Sequence, residues 1–146
     1  MHIRRFVPGD IPAISRVVKN SLGENYAASL YLTVHNVFPD GFLVLEDEGS
    51  IVGFVASVVS GPKVARVLML AVEPGHRGRS GGSMLMDALY SSCIARGLDT
   101  VALEVRKSNA RARSFYERHG FKVTGEIRCF YTNGEDAYKM SRSILN

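Results

Sequence analysis

The stretch Val72-Glu-Pro-Gly-His-Arg-Gly-Arg-Ser-Gly-Gly-Ser-Met-Leu-Met86 constrains this chain most. An apolar run, Val67-Leu-Met-Leu-Ala-Val72, leads into it and reads as a buried strand. A helical pattern follows, with Leu85, Ala88, Leu89 and Cys93 on one face. Between them, residues 77–83 hold three glycines, two arginines and two serines. A glycine-rich turn that ends a strand and opens a helix aims several backbone N–H groups at one point. The positive end of the helix dipole stands behind them. Glycine lets the backbone approach a ligand closely, and Arg77 and Arg79 add charge. The implied guest is a phosphate or pyrophosphate; the alternative is a plain turn with glycine at the helix cap. The P-loop and the dinucleotide fingerprint do not fit, because the loop has no lysine and the chain has no G-x-G-x-x-G.

A chain of 146 residues is expected to be one domain, residues 1–146, with room for a sizeable core. With 46% apolar and 22% charged residues it reads as an ordinary soluble globular protein. No apolar run approaches the ~20 residues of a membrane span, and the N-terminus lacks a signal peptide's apolar stretch. Cys93 and Cys129 are isolated, and no Cys/His pair has zinc spacing, so no metal is expected. A cytoplasmic setting with reduced thiols follows. A net charge of +4 suits an anionic cofactor but is too weak to argue for nucleic acid.

Periodicity gives the order of elements. Residues 2–7 read as a strand. Asp10 reads as an N-cap with Pro12 in the first turn of a helix that Gly23 ends. A second short helix spans 27–37. Strands follow at 42–45, 51–59 and 64–72, then the glycine loop and a helix over 82–96. A strand covers 99–106, with Val101, Leu103 and Val105 on one face and Ala102, Glu104 and Arg106 on the other. Ser108 or Asn109 caps a helix over 110–118. The chain closes with a strand over 121–131, a tight Asn133-Gly134 turn and a strand over 136–142. The order β-α-α-β-β-β-α-β-α-β-β predicts an α+β fold: a central mixed sheet, mostly antiparallel, of about seven strands flanked by about four helices.

Arg77-Gly-Arg-Ser-Gly-Gly82, after a strand ending in Val-x-Pro, resembles the coenzyme A pyrophosphate loop of the GNAT N-acetyltransferase superfamily. Asn109 with Phe115-Tyr-Glu-Arg-His-Gly-Phe121 is similar to that family's fourth-helix signature. Leu103-Glu-Val-Arg-Lys-Ser-Asn109, Phe130-Tyr-Thr-Asn-Gly-Glu-Asp-Ala-Tyr-Lys-Met140 and Leu22-Gly-Glu-Asn-Tyr26 resemble one branch: the N-alpha-acetyltransferases of ribosomal-protein and nascent-chain N-termini. The resemblance covers nearly the whole chain. It implies acetyl-CoA as cosubstrate, bound by Leu70, Ala71, Val72, Arg77, Gly78, Arg79, Ser80, Gly81, Gly82, Ser83, Asn109 and Tyr116. It implies protein N-termini as acceptors, with ribosomal proteins or the ribosome as partners.

Several of these residues also carry a plain structural reading. Glu104, acidic among Val, Ala and Leu, is either salt-bridged or a general base made more basic by partial burial. Tyr116 is either a core tyrosine or the general acid for the departing thiolate. Asn109 is a helix cap or a cofactor contact. Glu24, Tyr26 and Tyr131 are loop residues or, by resemblance, flank the groove that holds the substrate's first residues. Backbone groups of residues 70–72 would hydrogen-bond the pantetheine arm and polarise the thioester carbonyl.

Three departures from the family pattern stand out. Ser80 replaces the first motif glycine, leaving it as a possible helix cap and phosphate donor, with Gly81 expected to absorb any strain. Gly23 stands where relatives often carry proline, which loosens the loop. Arg66 sits where some relatives carry His or Tyr; if it reaches Glu104, it weakens the base. Neither cysteine lies where a covalent nucleophile belongs, so direct transfer in a ternary complex is expected. The rival readings are an acetyltransferase for a small amine or a lysine side chain, and a coenzyme A-binding module without turnover.

Overall fold

The computed structural model describes residues 1–145. In chain order these form β1 (His2–Arg5), α1 (Ile11–Leu22), α2 (Ala28–Val37), β2 (Phe42–Asp47), β3 (Ser50–Gly61), β4 (Val64–Val72), α3 (Gly81–Ala95), β5 (Thr100–Arg106), α4 (Ala110–Arg118), β6 (Lys122–Ile127) and β7 (Ala137–Ser143). The expected element order holds throughout. The strands make one sheet in the order β1-β2-β3-β4-β5-β7-β6, antiparallel except for the parallel β4–β5 pair.

Each face of the sheet carries a core. On one, Leu85, Met86, Leu89 and Cys93 of α3 pack against Leu45, Val55, Val101, Leu103 and Val105. On the other, Ile14, Val17 and Val18 of α1 and Tyr31 and Val34 of α2 cover Phe42, Val44, Phe54 and Ala56. Burial of these side chains is the main favourable contribution to the fold, at about 25 cal/mol per Å² of apolar surface.

β4 belongs to both cores, and the reason positions the site. Ala65 and Val67 face α3, whereas Met69 and Ala71 face α1 and α2. Strict alternation would put all four on one face. The register against β3 slips here: Ala56 faces Met69 but Ser57 faces Val67, which leaves Leu68 as a bulge. A bulge inserts one residue, reverses which side chains face which way and bends the strand. The β4–β5 ladder runs only from Val64↔Thr100 to Arg66↔Ala102 and stops just before the bulge. Beyond it the two strands part, and the β5-facing edge of β4 has no strand partner among the described residues.

Two local expectations need correction, and one position gains a reason. Asp10 is not a side-chain cap for α1. Its carboxylate instead takes a two-pronged bond from Arg4, at 2.8 and 2.9 Å, and the Val7 N–H at 2.9 Å. Arg4 is the main cause that holds the Asp10 carboxyl below its ordinary range. Gly23 ends α1 as expected, and the structure gives a local reason for glycine rather than proline here. It stops α1 at φ +68, with its N–H on the carbonyls of Val18 and Lys19. Proline offers neither that angle nor that donor. The last hairpin is not tight: β6 ends at Ile127, paired with Ala137, and residues 128–136 form a loop. A turn does form inside it, with the Gly134 N–H bonded to the Tyr131 carbonyl at 2.8 Å.

Candidate active site

The parting of β4 and β5 opens two adjoining cavities. The larger, about 580 Å³, is walled by Leu70, Ala71 and Val72, the loop from His76 to Ser83, and the α4 face carrying Ala112, Phe115 and Tyr116. The smaller, about 280 Å³, is lined by Glu24, Tyr26, Leu68, Glu104, Arg106, Tyr116 and Tyr131 among others. Leu22, Leu70, Asn109, Ala112 and Tyr116 border both.

The larger cavity suits an anion with an extended tail. No acidic side chain among the described residues lines it, whereas Arg77, Arg111 and Arg118 do. The first N–H groups of α3, from Gly81, Gly82 and Ser83, have no intrahelical partner by construction and face this space with the helix dipole. Arg77 is steadied by α1, its Nη2 donating to Ser21 Oγ at 3.1 Å. The unpaired edge of β4 runs along the same wall and offers backbone groups to an extended ligand. A nucleotide pyrophosphate joined to an amide-bearing arm, as in acetyl-CoA, fits this surface.

Most of the residues expected to hold the cofactor meet here, with one exception. Arg79 is turned to Asp47, 3.8 Å away, and does not line the cavity. Ser80 lines it but does not behave as expected. It takes φ +65 itself and makes no capping bond, so Gly81 does not absorb the strain. Gly81 is needed for another reason: a Cβ there would lie 2.8 Å from Leu45 Cδ2. A left-handed conformation costs a non-glycine residue about 1–2 kcal/mol, offset for Ser→Gly by about 0.4–1 kcal/mol of unfolded-chain entropy. Ser80→Gly should therefore stabilise the protein by roughly 0.5–1 kcal/mol, read as a higher urea midpoint at unchanged slope. An unchanged midpoint would show that the loop carries no strain.

The smaller cavity holds the ionisable side chains that the sequence singled out. Glu104 projects from the α1/α2 face of β5, its side chain 13% exposed. Arg66 does reach it, with Nε 2.8 Å from Glu104 Oε1 and Nη2 on the same oxygen, so the salt-bridged alternative is realised at Oε1 and any role as a base is left to the other oxygen. Oε2 has no bonded partner among the described residues. Tyr116, on α4, is buried and stands at the junction of the two cavities. Burial pushes its hydroxyl well above the ordinary tyrosine range, so it keeps its proton at any physiological pH. Tyr26 bonds Glu24 and is pushed up to about 12, chiefly by burial. Tyr131 lies under the Arg106 guanidinium, 3.9 Å from ring centre to carbon, and burial raises its hydroxyl too. Asn109 caps α4 through its Oδ1, 3.0 Å from the Ala112 N–H, while bordering both cavities.

Sequence reading overlooked His76, Arg106, Arg111, Phe115 and Arg118 as lining residues. The spacing of Arg111 and Arg118, seven apart on α4, was a usable signal for a shared face. His76 left none: its Nδ1 is buried without a partner, and its Nε2 is 3.3 Å from Asp47. The cysteines take no part in lining either cavity. Cys93 is buried, and desolvation pushes its thiol up to about 11, which makes it a poor nucleophile.

Residues 13–121 match the acetyltransferase (GNAT) family model. An uncharacterized N-acetyltransferase of Methanocaldococcus jannaschii is 32% identical, the match covering 100% of this chain and 94% of the relative. An N-alpha-acetyltransferase of Sulfolobus acidocaldarius is 28% identical over 97% of this chain and 92% of its own. The crystal structure of Ard1 from Thermoplasma volcanium superposes with a TM-score of 0.94 at 37% identity, covering 99% of this chain and 98% of that one. Family match, relatives and the parted β4–β5 cleft agree: this chain belongs to the GNAT acetyltransferase family.

Proposed function

We propose that residues 1–146 act as one domain, an acetyl-CoA-dependent N-alpha-acetyltransferase that modifies the free N-terminal amine of proteins. One observation carries the reading: Tyr116 and Leu70 border both a cationic, nucleotide-sized cleft and a smaller cavity containing Glu104. An acyl donor entering from the first cavity and an amine entering from the second meet at that shared wall. The similarity to N-alpha-acetyltransferases supports the amine being a protein N-terminus. Ribosomal proteins and chains emerging from the ribosome are the sources we favour, on the resemblance of residues 103–109 and 130–140. A cytoplasmic setting goes with that choice of substrate; no helix among the described residues is long and apolar enough to cross a membrane.

Each residue then has a definite task. The α3 N-terminus, Ser80, Ser83 and Arg77 hold the pyrophosphate, and Leu70 to Val72 align the arm through backbone groups. Acetyl-CoA supplies the acetyl thioester; the amine nitrogen bonds its carbonyl carbon as the C–S bond breaks. A backbone N–H in the Leu70–Val72 segment stabilises the oxygen on which charge develops. Glu104 Oε2 accepts the proton that the amine loses, directly or through water. A protein N-terminal amine has a pKa of about 8, so a fraction of it arrives as the free amine, and that form has one proton left to lose as it becomes an amide. Tyr116 gives its proton to the departing sulfur. The base matters more than the acid, because a thiolate is already a good leaving group.

Tyr26 and Tyr131 supply flat faces and hydroxyls for the first residues of an extended chain. Glu24 contributes negative charge to the same cavity. The test is a peptide panel with free and blocked N-termini, incubated with acetyl-CoA and read by mass spectrometry. Free termini beginning with Ser or Ala should be acetylated well. A first Asp or Glu should lose about 1 kcal/mol in kcat/KM through repulsion by Glu24. Blocked peptides with free lysines should stay unmodified. Lysine acetylation at an equal rate would replace this reading with the side-chain acetyltransferase.

A further inference from the structure

We propose that Glu135 is a positioning residue for the smaller cavity: it fixes Tyr131 there through Arg106, and ties the 128–136 loop to the turn that starts α4. The inference takes from the proposed function only the nature of the acceptor. Nothing from Arg128 to Asp136 is buried, so no hydrophobic anchor places this loop. A polar network does so instead. Glu135 Oε1 accepts the Ser108 hydroxyl at 2.5 Å and the Ser108 N–H at 3.2 Å. Its Oε2 lies 3.6 Å from Arg106 Nη1. Arg106 also donates to Asn133 Oδ1 at 3.2 Å, and that oxygen accepts the Glu135 N–H at 3.0 Å. The same guanidinium lies over the Tyr131 ring. Backbone bonds from Tyr131 N–H to the Glu135 carbonyl, and from Lys107 N–H to the Asp136 carbonyl, complete the clamp. Ser108 directly precedes Asn109, which borders both cavities.

Two consequences follow for the acceptor. Glu135 holds the aromatic wall of the cavity at a set height above β5. It also neutralises Arg106, a cation bordering the space where a partly protonated amine must enter. The Ser108 hydroxyl and N–H hold the Glu135 carboxyl below its usual range, so it stays ionised opposite Arg106 at neutral pH. Removing Glu135 both frees the loop and exposes a like charge to the amine. Glu135 touches neither the acyl donor's cleft nor Glu104. Its loss should therefore appear in acceptor binding and not in chemistry or cofactor affinity.

The experiment compares wild type, Glu135→Ala and Glu135→Gln in steady-state acetylation of a Ser-initiated peptide, with calorimetry for acetyl-CoA and amide hydrogen exchange. Glu135→Ala should raise peptide KM about tenfold with kcat and acetyl-CoA affinity within about twofold. Glu135→Gln keeps the acceptor for Ser108 but loses the charge opposite Arg106, and should fall between. Exchange at Tyr131 and Gly134 should quicken in the alanine variant while β5 stays protected. A peptide KM within twofold of wild type, an equal loss of acetyl-CoA affinity, or unchanged exchange in the loop would each overturn the proposal. Wild-type enzyme that leaves the peptide untouched would sink the N-terminal reading separately; loop exchange would still decide the clamp.

Discussion

Glu104→Gln should lower kcat about 100-fold and leave acetyl-CoA affinity within twofold, measured by steady-state kinetics and calorimetry on the same preparation. The substitution keeps the shape of the side chain and its place between Arg66 and the cavity. It removes the only carboxylate that lines the β5 side of that space among the described residues. Both Arg66 donors converge on Oε1, so the orientation of the side chain does not depend on Oε2, the oxygen proposed to take the proton. The expected loss is at the lower end for a general base because the amine arrives partly deprotonated. A fall below about twofold would make Glu104 a structural partner of Arg66, and would favour a coenzyme A-binding module over an enzyme. Raising the pH toward 9 should narrow the gap between variant and wild type, since more of the amine is then free without help.

Arg77→Glu should weaken acetyl-CoA binding about 100-fold by calorimetry, without loss of the fold. Arg77 is exposed and contacts only Ser21 of α1, so little packing is lost. Charge reversal places a carboxylate beside the pyrophosphate, in a cleft lined by no other acidic side chain among the described residues. Because the site is open to solvent, the loss should shrink as salt rises. Arg79→Glu serves as the internal comparison. Arg79 is paired with Asp47 outside the cavity, so its reversal should cost much less. Equal affinity in Arg77→Glu and wild type would place the phosphates elsewhere.

Local order determined much of this protein from its sequence. Alternation in residues 100–106 put Glu104 and Arg106 on the face opposite Val101, Leu103 and Val105, and the structure keeps them there. The glycine-rich run after Val72 located the α3 N-terminus and its ring of free N–H groups. Asn109 was legible as a cap because capping is a contact over three residues. These features depend on neighbours in the chain, which the sequence displays directly.

Only the tertiary structure decided the rest. The bulge at Leu68 has no compositional mark, since leucine suits a regular strand equally well. Yet it reverses the facing of β4 and parts it from β5, which creates both cavities. The Arg66–Glu104 pair joins residues 38 apart, brought together by the register of a parallel ladder. Asn133-Gly134 favours a tight hairpin in isolation. In the folded chain, Ser108 and Arg106 from another strand's end outweigh it and draw Glu135 and Asn133 into a longer loop. Ser80 holds a left-handed angle that its residue type disfavours, because the strand before it and the helix after it fix the path between them. A strand's period is a property of its own residues; where it bulges, which strand it leaves and which side chains meet across the gap are set by the whole packed sheet.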